Sequence, residues 1–342
     1  MSAIIRGIKR DLFIFGAPGL LGGAATKIRD LLALLFEEFS ITVVVSHPSL
    51  LKDKFVVKIC GQYRVRVILR SEIPKNCSGV ALGICELDMF GGNLLSKIRD
   101  SGLKFVWSNE MMWPFQGEQE VSSLGLIDRV LYVSELQKAA LREINCNIDS
   151  RIVGNYVSTD AFPYRMERGN IFNVGRLSRA DKVKYPMHFP FAYESIKLRN
   201  VRFRIQAWSQ ELAKKFGWHN FDSRWQFQNP NQQSAAEFLS GLHVFFYPLG
   251  HIFTESWGRS TVEAMLTGAV PVVPAGHNFR DFIPSQEFGC VYENLGEAIE
   301  YIETLYHDGV RRRCVSKASS MFARDFCAIG RHKEIWIEAL SV

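Results

Sequence analysis

The chain predicts an α/β fold of two doubly wound domains, and three observations carry that prediction. Short apolar runs recur along its whole length, among them Leu12 to Phe15, Ile41 to Val45, Val130 to Ser134, Val244 to Tyr247 and Val270 to Val273. Segments of helical period separate them, and strand alternating with helix builds parallel sheets. Lastly, 342 residues is long for one domain and comfortable for two, each burying its own core.

Composition narrows the class. Apolar residues make up 47% and charged residues 22%, which favours a folded globular chain over a disordered one. The net charge of +6 is spread along the sequence, so it suits anionic substrates or an anionic membrane surface and is too diffuse to indicate nucleic acid. No run approaches the length of a membrane span, and the start, MSAIIRGIKR, lacks the apolar core of a signal peptide. A cytoplasmic location is expected, with peripheral contact on the inner face of a membrane left open. The seven cysteines are odd in number and irregular in spacing, so reduced, mostly core thiols are expected. The histidines are scattered without an H-x-x-x-H pair, and neither a metal nor a cofactor is expected.

In chain order, Leu12 to Phe15 feeds Gly16-Ala17-Pro18-Gly19-Leu20-Leu21-Gly22-Gly23, followed by a helical pattern from Ala24 to Phe39. A glycine-rich turn between strand and helix brings backbone close to a phosphate, yet G-x-G-x-x-G does not fit here, which weakens a nicotinamide reading. Phe55 to Ile59, Val65 to Leu69 and Val80 to Cys85 read as strands. Glu86-Leu87-Asp88 lacks the first aspartate of an acidic metal-binding triplet and reads as a loop carboxylate pair. Phe105-Val106-Trp107 enters Ser108-Asn109-Glu110, a polar point among large apolar groups, where Glu110 is either a ligand contact or a buried salt-bridge partner. Val130 to Ser134 leads into a helix from Glu135 to Glu143. A turn-rich connector then ends at Pro163, which suits a hinge. Arg6, Lys9, Arg10 and Lys27 form a solvated basic face or a seat for an anionic lipid carrier.

The second half opens with a strand from Ile171 that ends in Gly175-Arg176, followed by Asp181-Lys182-Val183-Lys184-Tyr185-Pro186. Cations at the carboxyl end of a strand, facing a phosphate, neutralise charge that grows on a departing group. Val201 to Trp208 and Trp225 to Phe227 are strands, the second turning at Gln228-Asn229-Pro230-Asn231 before a helix from Ser234 to Leu239. Next comes the stretch the rest is built around, Val244 to Ile283. Pro248 closes its first strand, Val262, Met265 and Leu266 share one helix face, and Gly268 stands where a helix stops. Glu255 precedes that helix and Glu263 lies within it, with Ser256, Trp257, Gly258, Arg259 and Ser260 between. Helical side chains lean toward their own N-terminus, so both carboxylates reach one cleft, and the free N–H groups at the helix start receive an anion such as a diphosphate. A carboxylate pair beside an anion seat suits a nucleotide sugar; the alternative is two carboxylates on a solvated helix face. His243 and His251 pack or shape the loop, and His277-Asn278-Phe279 line the cleft. Helices follow beyond Leu295, the last from about Gly330 to Leu340.

The run ESWGRSTVEAMLTGAVPVV, from Glu255 to Val273, resembles the donor-binding signature of retaining glycosyltransferases of the GT-B fold. That family carries E-x(7)-E followed by E-A-M-x-x-G-x-P-V-V. The resemblance implies two Rossmann-like domains facing each other across a cleft, here 1–163 on the acceptor side and 164–329 for the donor, with the helix in 330–342 returning to the first domain. It implies that Glu255 holds hydroxyls of the donor sugar, Glu263 the ribose, and the segment from Ser256 through Trp257 to Ser260 the diphosphate. Gly22 and Gly23 match a Gly-Gly pair near that diphosphate. Asn109 and Glu110 stand where the family presents a histidine or another polar residue to the sugar, and Phe227 to Asn229 where backbone meets the base. Arg176 matches the arginine of the G-R-L motif. The family's downstream lysine is Lys182 or Lys184, with Lys184 preferred because Tyr-Pro follows it. The implied catalytic set is Glu255, Arg176 and Lys184. The implied activity is metal-independent transfer, with retention, from a UDP-, GDP- or ADP-sugar to a saccharide or lipid-linked acceptor, in glycan, polysaccharide or glycolipid synthesis. A GT-B-fold sugar-nucleotide epimerase and a non-catalytic nucleotide-sugar binding protein remain as alternatives.

Overall fold

A computed structural model describes residues 9–19, 22–86, 88–230 and 232–342. The chain divides into two compact units, Met1–Tyr156 with Ile329–Val342, and Val157–Ala328.

The first unit holds seven strands, β1 (Arg10–Phe15), β2 (Phe39–Val45), β3 (Arg66–Leu69), β4 (Gly79–Ile84), β5 (Leu103–Ser108), β6 (Arg129–Tyr132) and β7 (Ser150–Ile152). They pair in parallel in the order β3-β2-β1-β4-β5-β6-β7. Alternation along the strands sends Leu12, Ile14, Val43 and Leu82 to one face, against Leu31 and Leu32 of the helix Gly23–Leu35 and Trp336 of the helix Ile329–Ala339. Phe13, Phe15, Ala81 and Phe105 point to the other face and bury against Ile98 and Trp107. Both faces are covered, which is why these strands read as continuous apolar runs. Arg129 Nη1 donates to the carbonyl oxygens of Glu338, Ala339 and Ser341 at 3.1, 2.9 and 3.2 Å, satisfying the open end of the last helix.

One expected strand is a helix. Phe55 to Ile59 lies within the helix Lys54–Gln62, because the Asp53 carboxylate accepts from the N–H groups of Phe55 and Val56 and starts a helical turn. Its two buried residues, Val56 and Cys60, stand four apart on one face.

The second unit holds β8 (Phe172–Leu177), β9 (Val201–Gln206), β10 (Trp225–Gln228), β11 (Val244–Phe246), β12 (Val270–Pro274) and β13 (Cys290–Tyr292). These strands are also parallel, in the order β10-β9-β8-β11-β12-β13. The order reverses between β8 and β11, and such a reversal opens a crevice at the carboxyl ends of the two strands. Gly175 lets β8 sit close to its neighbour, since a Cβ there would lie 2.2 Å from the carbonyl oxygen of Arg204.

His243, just before β11, is a buried acceptor: its Nδ1 takes the N–H of Asn173 at 3.1 Å and its ring lies against Phe172. Burial, reinforced by the nearby Arg312 and Arg168 charges, pushes its pKa from 6.5 down to about 3. The unfolded chain therefore binds this proton first as the solution is acidified. The stability His243 contributes is complete above about pH 6.5 and declines as pH falls toward about 3, at up to about 1.4 kcal/mol per pH unit. Urea midpoints measured from pH 7 to 4 are expected to fall more steeply for the wild type than for His243→Asn, which keeps an acceptor and removes the titration. Equal slopes would refute this account.

All seven cysteines are free thiols, but only Cys60, Cys290 and Cys327 are buried, which corrects the expectation of mostly core thiols. No helix among the described residues is long and apolar enough to cross a membrane.

Candidate functional site

The crevice between β8 and β11 collects charge in two layers, and Arg176 forms the lower one. This residue is wholly buried, with its guanidinium between the rings of Tyr185 and Tyr247, 4.0 and 4.3 Å from their centroids. Nη1 donates to Pro248 O at 2.9 Å, and Nη2 to Ser178 Oγ at 3.2 Å and Lys184 O at 3.1 Å. Carbonyl oxygens and aromatic faces thus replace the water that a buried cation loses. Both Nη groups bond to protein and tie the ends of β8 and β11 to the turn that carries Lys184, the geometry of a brace where a diphosphate contact was expected of Arg176.

Lys184 lies in the upper layer. The short 3-10 turn Lys182–Lys184 starts at Asp181, whose carboxylate accepts from the N–H of Val183 at 3.2 Å. The turn sends its two lysines apart. Lys184 Nζ meets Glu255 Oε2 at 2.9 Å and sits 4.5 Å from the Phe253 ring centroid, whereas Lys182 is 54% exposed and faces Glu211 at 3.5 Å. Tyr247, at the end of β11, donates its hydroxyl to the same Glu255 Oε2 at 3.0 Å. Burial and then the Glu255 carboxylate push the pKa of this phenol up, so it stays a donor. Tyr247 escaped the sequence reading; its signal was a lone hydroxyl at the end of an apolar strand, directly before Pro248.

Past Glu255 the chain turns into the helix Arg259–Thr267. Gly258 caps it at φ +87°, and a Cβ there would lie 2.5 Å from the Phe279 ring, so both backbone sign and space require glycine. Trp257 is buried, with its ring against Phe282 and Phe326, so its side chain turns away and only its main chain remains to meet a ligand. Arg259 Nε pairs with Glu263 Oε1 at 2.8 Å, and Ser256 and Ser260 flank the helix start half-buried. Lys184 and Arg259 are each paired with a carboxylate here, Glu255 and Glu263, and it is the helix N-terminus between them that favours an anion.

Phe227 and Asn229 stand at the carboxyl end of β10. Phe227 is half-buried, lies tilted against Trp208 at 4.3 Å and stacks on Trp225 at 5.6 Å between centroids. Asn229 is exposed, with its N–H on the Gln232 side chain, and Asn231 lies outside the described residues.

The remaining candidates belong to the first unit. Gly22, at φ +84°, precedes the helix Gly23–Leu35, and its carbonyl accepts from both N and Oγ1 of Thr26; Leu20 and Leu21 of that loop lie outside the described residues. Asn109 is fully buried, its Nδ2 donating to Glu118 Oε2 at 3.0 Å and Trp113 O at 3.1 Å while Oδ1 accepts from Met111 N at 2.7 Å. Its side-chain polar atoms hold a loop of the first unit, where a contact to a donor sugar was expected. Glu110 is the salt-bridge partner: it meets Lys27 Nζ at 2.6 Å and Ser108 Oγ at 2.8 Å. Lys27 is buried in that pair, so it belongs to no solvated basic face. Arg10 and Lys9 are exposed, and Arg6 lies outside the described residues. Glu86 pairs with Arg70 at 2.6 Å and Asp88 approaches the same arginine at 4.0 Å, with Leu87 outside the described residues.

No family model matches the chain, and no curated protein matches it in sequence. Solved structures do match in shape. Alr3699/HepE from Anabaena, in complex with UDP and glucose, superposes at a TM-score of 0.76 with 13% identity over 97% of this chain and 99% of its own. A variant of TarM from S. aureus, in complex with fondaparinux, α-GlcNAc-glycerol and UDP, gives 0.76 with 11% identity over 97% and 100%. Sucrose-phosphate synthase from Thermosynechococcus elongatus gives 0.73 with 12% identity over 96% and 98%. With the two parallel sheets, these likenesses establish the two-domain, Rossmann-like GT-B fold.

Proposed function

We propose that this protein is a retaining, metal-independent glycosyltransferase that moves a sugar from a nucleotide-diphosphate sugar to an acceptor hydroxyl. The observation that carries the reading is the cluster at the β8/β11 crevice, where Lys184 and Tyr247 converge on Glu255 Oε2 beside a helix N-terminus. Both bonds fall on one oxygen, so Oε1 is left to accept from sugar hydroxyls. Lys184 turns from Glu255 toward the diphosphate when donor enters, neutralising the charge that grows on the leaving group. Main-chain N–H groups from Ser256 to Ser260 hold the phosphates and Glu263 the ribose, with Arg259 able to exchange its carboxylate for phosphate oxygen. Backbone near Phe227 and Asn229 meets the base. The leaving phosphate takes the acceptor proton as the new glycosidic bond forms on the face it vacates, so the reaction needs no separate general base. Alr3699/HepE, in complex with UDP-glucose, has the same fold, which supports a nucleotide-sugar donor and leaves the acceptor a saccharide or lipid-linked hydroxyl.

A thermal-shift panel of UDP-, GDP- and ADP-sugars tests this. One nucleotide class is expected to stabilise the protein by roughly 2.7 kcal/mol at a hundredfold its dissociation constant. Absence of a shift with every donor would overturn the proposal. Altered sugar recovered after incubation without acceptor would replace it with an epimerase.

A further inference from the structure

Within the second unit a cavity of about 480 Å³ lies among the loops that follow β11, β12 and β13, lined in part by His188, His251, Thr254, His277 and Asn294. His277 joins this cavity to the charged cluster. Its Nδ1 lies 3.0 Å from the backbone nitrogen of Glu255, in line to accept that N–H. A ring nitrogen accepts only when it carries no proton, so this bond requires neutral imidazole with the hydrogen on Nε2. Burial lowers the pKa of His277; the Glu255 carboxylate opposes that shift and Lys184 reinforces it, so the accepting form prevails near neutrality. The next residues brace the same loop, because the Phe279 ring fills the space beside Gly258 and stands edge-on to Tyr247 at 6.2 Å.

We infer that His277 is a positioning residue, whose Nδ1 pins the main chain of Glu255 so that the carboxylate is presented to the donor sugar from a fixed loop. The inference rests on the donor reading given above. Glu255 holds Lys184 and Tyr247 through its side chain. Without a second hold on the main chain, the loop is free to follow Lys184 when that lysine swings to the phosphates. The His277 bond keeps the carboxylate in place through that exchange. Its effect therefore falls on the sugar and leaves the nucleotide half of the donor alone.

Two substitutions separate this role from ring packing, since His277 also lies against Phe279 at 5.6 Å. His277→Asn keeps an acceptor oxygen near the place of Nδ1 and gives up the ring; His277→Phe keeps the ring and removes the acceptor. Hydrogen exchange of the 253–258 segment in the ligand-free protein is expected to rise about tenfold in His277→Phe and stay near wild type in His277→Asn. With whichever of UDP-, GDP- or ADP-glucose stabilises the wild type, His277→Phe is expected to lose about fivefold in preference for nucleotide sugar over free nucleotide, while free nucleotide binds within about twofold. Wild-type behaviour of His277→Phe in both measurements, or defects confined to His277→Asn, would overturn the inference. If the wild type binds none of the three donors, the donor reading fails, and the exchange measurement still decides whether His277 holds the loop.

Discussion

Lys184→Ala is expected to lower turnover with an active donor by about 10²–10³-fold, the scale of losing one preorganised donor to developing negative charge. Arg176 is tied to Pro248, Ser178 and the Lys184 carbonyl, and Arg259 makes its own exchange from Glu263 to the phosphates, so neither takes over the contact that Lys184 loses. Lys182→Ala is the matched control. Its ammonium is 54% exposed and faces Glu211 at 3.5 Å, a surface pair of small value, so its removal is expected to change the rate by less than about twofold. Initial rates of nucleotide release for the two variants give the answer. Similar losses in both, or an unimpaired Lys184→Ala, would remove the lysine from the mechanism.

That contrast also marks where the sequence stops being informative. Period and punctuation along one segment revealed the Glu255 loop, its helix and both sheets, because apolar spacing and glycine or proline stops are local properties. Choosing between Lys182 and Lys184 required the direction of a 3-10 turn, which depends on Asp181 capping and on Lys215 donating to the Lys182 and Tyr185 carbonyls from a neighbouring helix. Tyr247 and His277 were harder still, since each reaches Glu255 from another strand end and no fixed spacing links them to it. Asn109 and Lys27 looked available because their types favour the surface; partners distant in sequence, Glu118 with Gln137 for one and Glu110 for the other, make their burial tolerable. Phe55 to Ile59 failed for a different reason. Five residues do not distinguish a strand from a helix turn, and the Asp53 cap decides.

Arg176→Ala is expected to destabilise the protein by about 3–5 kcal/mol, because it leaves two buried carbonyl oxygens, of Pro248 and Lys184, unpaired and a gap between two tyrosine rings. Arg176→Lys keeps the charge but lacks the planar fork that spans Pro248 O, Ser178 Oγ and Lys184 O, so it is expected to recover only part of that loss. Activity follows by a second route. With the Lys184 carbonyl released, the turn no longer holds its side chain toward Glu255, and turnover of the folded fraction falls with it. Lys184→Ala is expected to do the reverse, losing rate while its urea midpoint stays close to the wild type. Midpoints and single-turnover rates measured together distinguish a brace from a ligand. If Arg176→Ala unfolds at the wild-type urea concentration and instead loses nucleotide affinity, the guanidinium touches the diphosphate itself, and the two-layer arrangement gives way to direct contact by both cations.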